Sequence, residues 1–175
     1  MKKSNSENGF TLIELAVVLA ITALVVLAAA PLASEWGYNA QVHDANAKLT
    51  QGFGLAKALA LRNPNGVPYP SPAAALQISI SGANTTVAVL DCPASGGTCV
   101  TSDSGWPGWS ASYPGAVATS ITNVGQVSSS TSQIIYIDNR GEPVVQAATN
   151  PPTLNTNLAF TVSRGNTGSE QGSFY

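Results

Sequence analysis

The chain has 175 residues and a net charge of −2, and charged side chains make up only 9% of it, against roughly 25% in an average soluble domain. That length suits one domain of ordinary size plus an appendage, and so sparse and balanced a charge leaves no polybasic surface for nucleic acid or anionic lipid. Gly, Pro, Ser, Thr, Asn and Ala crowd the sequence after residue 62, a composition that favours turns and short strands over long helices.

Residues 1–9, MKKSNSENG, are polar and carry Lys2 and Lys3. From Phe10 to Ala33 the chain is apolar apart from Thr11, Glu14 and Thr22. As a helix these 24 residues would span about 36 Å, long enough to cross the hydrocarbon core of a membrane. The positive flank precedes the helix, so the N-terminus faces the cytoplasm and the remainder is translocated. A secretory signal with a small-residue cleavage site in Ala28–Ala33 is the alternative. The long apolar run, the leader's Glu7 and the helical pattern that follows argue against it.

Glu14 is the anomaly of this segment. A carboxylate in a membrane helix costs about 2.5–3.5 kcal/mol on insertion scales, and no Lys or Arg lies near it in sequence. Cleavage after Gly9 would give Phe10 a new α-ammonium four residues away, one helical turn, able to pair with Glu14 in the same or a neighbouring subunit. Alternatively Glu14 snorkels to the nearby interface. On the residues alone the two readings stand level.

The stretch GFTLIELAVVLAI resembles the processing and assembly motif of type IV pilins and type II secretion pseudopilins. On that resemblance Gly9 precedes the cut, Phe10 becomes the N-methylated first residue, Glu14 guides subunit assembly, and Pro31 is the proline that often interrupts the family's helix. The resemblance implies cutting by a separate prepilin peptidase. It also implies partners among other pilin or pseudopilin subunits and an inner-membrane assembly platform.

Beyond Pro31, where a kink or local melting is expected, the pattern turns amphipathic. Val42, Ala45, Leu49, Phe53, Ala56 and Ala60 recur at spacings of three and four, one face of a helix. Pro64 in RNPNG stops it near Arg62. The expected organisation is a leader at 1–9, a membrane-spanning or filament-core helix at 10–33, an amphipathic helix half at 34–62 and a β-rich domain at 63–175.

In that last region strand signals dominate. ALQISIS (75–81), TTVAVL (85–90), SQIIYID (132–138) and NLAFTVS (157–163) alternate or are β-branched, and the turn NRG with Gly141 at positive φ joins the third to EPVVQA as a hairpin. NVGQVSSSTS (123–132) reads as loop, and the tail 164–175 as flexible, with Phe174 and Tyr175 free to tuck in. The fold class is α+β and pilin-like: a long N-terminal helix packed on a mostly antiparallel sheet.

Cys92 and Cys99 flank six residues that include Pro93, Gly96 and Gly97. A disulfide in an oxidising compartment ranks first, free buried thiols second and metal last. Trp106, Trp109 and Tyr113 in GWPGWSASYPG suit either a stacking site for bases or sugars or a loop anchored by rings in a small core. With no basic cluster beside them, the core is preferred.

A patchier resemblance covers residues 49–145. LAKALALRNPNGV, the Trp-rich stretch and IIYIDNRGEPV resemble the minor-pilin family of the type II secretion H pseudopilin and the FimT/FimU minor pilins, with Lys57 and Arg62 only approximating its helix basic residues.

No histidine triad is available, since His43 is the sole histidine, and no phosphate loop, zinc protease or nucleophile-elbow motif occurs. Asp91, Asp103, Asp138 and Glu142 lack a compact calcium loop and read as surface acids. No cofactor or metal is expected. The resulting expectation is a structural subunit and not an enzyme, a minor pilin or pseudopilin anchored in the inner membrane with its C-terminal domain in the periplasm, then carried into a pilus or pseudopilus. A major pilin is the alternative. A DNA-binding minor pilin fits less well, because only Arg140 and Arg164 are basic after Pro64, against five acids. An anchored periplasmic enzyme has no residues behind it.

Overall fold

The computed structural model describes residues 10–94, 99–100, 108–122, 132–145, 153–154, 158–165 and 168–174. Helix α1 runs Leu12–Arg62, 51 residues. Contacts divide the chain into two units, Met1–Gly37 and Tyr38–Tyr175.

In the first unit the described part of α1 carries apolar side chains on every side, and none is covered. Leu12, Ile13, Leu19, Leu24 and Leu27 are each at least 60% exposed. The hydroxyls of Thr22 and Ser34 along it are satisfied by the helix itself. The Thr22 hydroxyl donates to the carbonyls of Val18 at 2.9 Å and Leu19 at 3.0 Å, and Ser34 Oγ donates to Pro31 O at 2.8 Å. Such back-bonding is what a medium without water requires. The helix continues through Pro31, which withholds a backbone donor without ending the element.

In the second unit the amphipathic face is the core. Val42, Ala45, Leu49, Phe53, Ala56 and Ala60 are all buried, at most 5% exposed. The helix ends where Pro64 requires it. Asn63 takes a positive φ of 41°, the left-handed C-terminal conformation that Asn tolerates better than most residues. Its side chain then clamps Val67, accepting from the amide at 2.7 Å and donating to the carbonyl at 2.9 Å.

Among the described residues nine strands follow: β1 Pro72–Ser81, β2 Asn84–Asp91, β3 Trp109–Pro114, β4 Ala118–Thr122, β5 Ser132–Asp138, β6 Pro143–Val145, β7 Thr153–Leu154, β8 Ala159–Ser163 and β9 Ser169–Ser173. They form a six-stranded sheet ordered β3-β2-β1-β5-β6-β7 and a three-stranded sheet ordered β4-β8-β9, with every named pairing antiparallel. Alternation sorts the larger sheet's side chains. Leu76, Ile78, Val87, Val89, Ile135 and Ile137 join the helix in the main core. Ala75, Ala88, Leu90 and Tyr136 form a smaller cluster with Cys92 and Cys99 on the opposite face. Gly52 permits close approach in the main core, since a Cβ there would lie 2.7 Å from Trp109 Cζ3.

Three expectations change. The stretch holding Trp109 and Tyr113 is a strand, β3, paired with β2 from Asn84–Pro114 to Val89–Trp109; its ring packing is as expected, but its backbone completes a sheet edge. Trp106 lies outside the described residues. The tail holds β9, which pairs with β8 from Ala159–Ser173 to Ser163–Ser169. Phe174 locks it, with its ring 4.5 Å from Phe160 and 4.6 Å from Phe53 between centroids. Asp91 and Asp138 are not surface acids; they are 1% and 0% exposed. Asp138 Oδ1 accepts the Arg140 and Glu142 amides, each at 2.9 Å, across the β5–β6 turn, where Gly141 adopts the expected positive φ, 80°. Asp91 Oδ2 accepts from Asn65 Nδ2 at 3.0 Å. Most of the 123–132 linker, and Asp103, lie outside the described residues.

Candidate functional site

The N-terminal end of α1 gathers the residues singled out in sequence. Gly9 lies outside the described residues. Phe10 and Thr11 precede the helix, and the Phe10 side chain is 89% exposed. Thr11 is the N-cap, because its carbonyl accepts the first helical bond from Leu15 N at 3.2 Å. Glu14 reaches back to it. Glu14 Oε2 accepts from the Thr11 amide and from the Thr11 hydroxyl, both at 2.9 Å, and the Glu14 amide donates to Thr11 Oγ1 at 3.3 Å. This is a reciprocal capping box, in which each side chain satisfies backbone donors that the first turn would leave orphaned. Glu14 thus has a partner that a reading of charge alone does not reveal. Among the described residues no cation pairs with it, but a neutral residue three positions away occupies one of its oxygens. The acid also sits in the first turn, where the helix dipole favours negative charge. Thr11 is the residue that charge-based reading overlooked, although a Thr followed three positions later by Glu is a recognisable sequence signal.

The remaining candidates lie elsewhere. Cys92 and Cys99 are joined as a disulfide and buried in the smaller cluster. His43, exposed on α1, pairs through Nδ1 with Glu170 of β9, whose second oxygen accepts from Asn46 Nδ2 at 2.6 Å. Lys57 lies over the Phe53 ring, 5.7 Å from its centroid, and Arg140 stacks on Tyr69 at 3.8 Å. Burial pushes the Tyr113 phenol above its ordinary pKa, with a 2.6 Å hydrogen bond to the Thr119 hydroxyl acting the other way. Burial also raises that of Tyr136. Among the described residues no three His, Cys, Asp or Glu side chains are grouped to hold a metal.

A helix long and apolar enough to cross a membrane, capped at its start around an internal acid and continuing into an antiparallel β-domain, defines a helix-stemmed α+β protein of pilin-like architecture. Residues 4–30 match the model of the prokaryotic N-terminal methylation motif, so the chain carries the prepilin-type signal of type IV pilins and pseudopilins. No curated protein and no solved structure matches the chain.

Proposed function

We propose that this protein is a structural subunit, a minor pilin or pseudopilin, of a type IV pilus or type II secretion pseudopilus. It is inserted in the inner membrane with its β-domain in the periplasm, cut by prepilin peptidase between Gly9 and Phe10, and passed by an assembly platform into the fibre. It performs no chemistry of its own. The observation that carries this reading is the methylation motif laid on a helix whose apolar side chains find no cover within their own unit. Such a surface has two suitable environments, lipid and the packed helices of a fibre, and an assembling subunit moves from one to the other. Glu14 fits that passage. Among the described residues its carboxylate accepts from Thr11; after the cut the Phe10 ammonium adds a cation one turn away.

Two measurements test the reading. Terminal sequencing of the protein from cells gives a chain beginning at Phe10; a mature protein that still begins at Met1 refutes the processing step. Glu14→Ala leaves the protein in the membrane and lowers its recovery in sheared fibres at least tenfold; unchanged recovery refutes the assembly role. A calibrated immunoblot of those fibres separates the minor subunit from the major-pilin alternative, which gives the dominant band.

A further inference from the structure

We infer that Thr11 is the positioning residue for the maturation cut: its reciprocal cap with Glu14 fixes the helix start at a set distance from the scissile bond. This rests on the proposed processing of the chain and adds the feature that sets the cleavage register. The reaction is hydrolysis. Water adds across the Gly9–Phe10 amide, the C–N bond breaks, and the products are the Gly9 carboxylate and the Phe10 ammonium. A peptide bond inside a helix is poorly placed for such attack, because its carbonyl is held by the amide four residues on and the chain is wound rather than extended.

The cap addresses that problem at the neighbouring residues. An N-cap residue has non-helical dihedrals while its carbonyl already begins the ladder, and here the Leu15 amide bonds to Thr11 O at 3.2 Å. The helix thus begins at Leu12, leaving Phe10 and Thr11 outside it. Often the residue before an N-cap folds back onto the fourth helical residue as a hydrophobic staple. In this chain those residues, Phe10 and Leu15, are 89% and 56% exposed, so the Phe10 side chain is left available to an enzyme. Without the cap, the start would wander one residue either way. Each step moves the cleavage point by about 1.5 Å if the added residue is helical and about 3.3 Å if it is extended.

The test uses full-length precursor in proteoliposomes with purified prepilin peptidase, following conversion of precursor to mature band. Thr11→Ser and Thr11→Asn, which retain capping ability, are cut within about twofold of the wild-type rate. Thr11→Ala and the near-isosteric Thr11→Val, which do not cap, are cut about fivefold more slowly, the size of a typical cap. Glu14→Gln, whose amide oxygen accepts the same donors, is cut within about twofold of wild type. Wild-type rates for Thr11→Val, or an Asn variant as slow as Ala, overturn the inference, the latter because the enzyme would then be reading the hydroxyl itself. A wild-type precursor that is not cut overturns the functional reading and this inference together, whereas a cut wild type with no dependence on capping overturns only this one.

Discussion

The two halves of α1 are both rich in apolar residues, yet they meet opposite fates. Between Phe10 and Gly37 the described large apolar side chains are exposed all round; between Tyr38 and Arg62 one stripe is buried and the rest faces outward. Total apolarity does not separate them. Angular distribution does: an uninterrupted apolar surface needs an apolar environment supplied from outside, while a stripe is completed by the protein's own sheets.

Substitution of one leucine in each half puts the largest number on that contrast. Leu49 is fully buried and Leu24 is 68% exposed. Leu49→Ala destabilises the β-domain by about 3–5 kcal/mol, the range for a large-to-small change in a core that cannot collapse. Leu24→Ala changes the domain's melting by less than about 0.5 kcal/mol. Thermal unfolding in detergent, followed by near-ultraviolet circular dichroism, checks both. Equal effects would mean that the stem contributes to the domain's core.

The disulfide sharpens the comparison from the domain side. It joins residues seven apart, so closing this loop removes unfolded-state entropy equivalent to about 2.5 kcal/mol. The sulfurs also belong to the smaller cluster with Ala75, Leu90 and Tyr136. Replacing both cysteines with alanine lowers domain stability by about that amount in denaturant titration and leaves membrane partitioning of the whole chain unchanged. A smaller effect follows from Asp138. Asp138→Ala removes the acceptor for the Arg140 and Glu142 amides and costs about 2 kcal/mol, while Asp138→Asn, which keeps an oxygen there, costs less. Equal losses in the two variants would show that charge, not the turn's hydrogen bonds, is what the site uses.

What could be read in advance follows the same division. The buried face of α1 was visible because its period is helical, and β1, β2, β5, β6 and β8 because alternation or β-branched runs mark them. In the larger sheet β3 was hidden by its own punctuation: Trp109, Pro114 and the flanking glycines look like a loop, and only pairing with β2 makes them a strand. Nothing in SEQGS predicts β9, which has no large apolar residue and is held by its ladder to β8 and by the ring of Phe174 beyond it. Burial of Asp138 escaped notice because an acid looks exposed until its turn wraps backbone amides around it. At the candidate site, Gly9, Phe10 and Glu14 stood out by motif and charge. Thr11 did not, because a search for a cation overlooks two neutral donors three residues away.

The smallest expected effect lies in the domain and separates burial from hydrogen bonding. Tyr113 is 2% exposed and its hydroxyl bonds Thr119 at 2.6 Å. Tyr113→Phe keeps the ring and loses that bond, costing about 1 kcal/mol at neutral pH. The more telling difference appears in alkali. Burial raises the folded pKa of Tyr113, so its phenol stays protonated in the folded chain where an unfolded tyrosine, with a pKa of about 10, has begun to ionise. The folded state then binds more protons than the unfolded one, and stability falls as pH rises. The contribution is complete below about pH 10 and is lost as pH climbs through the folded value. Wild type therefore loses stability faster above that pH than Tyr113→Phe does, with Tyr136, raised by burial in the same direction, leaving a residual slope in the variant. Urea titrations at neutral pH and at two alkaline values measure the difference. Parallel losses in the two proteins would mean that the phenol ionises in the folded domain as readily as in the unfolded chain.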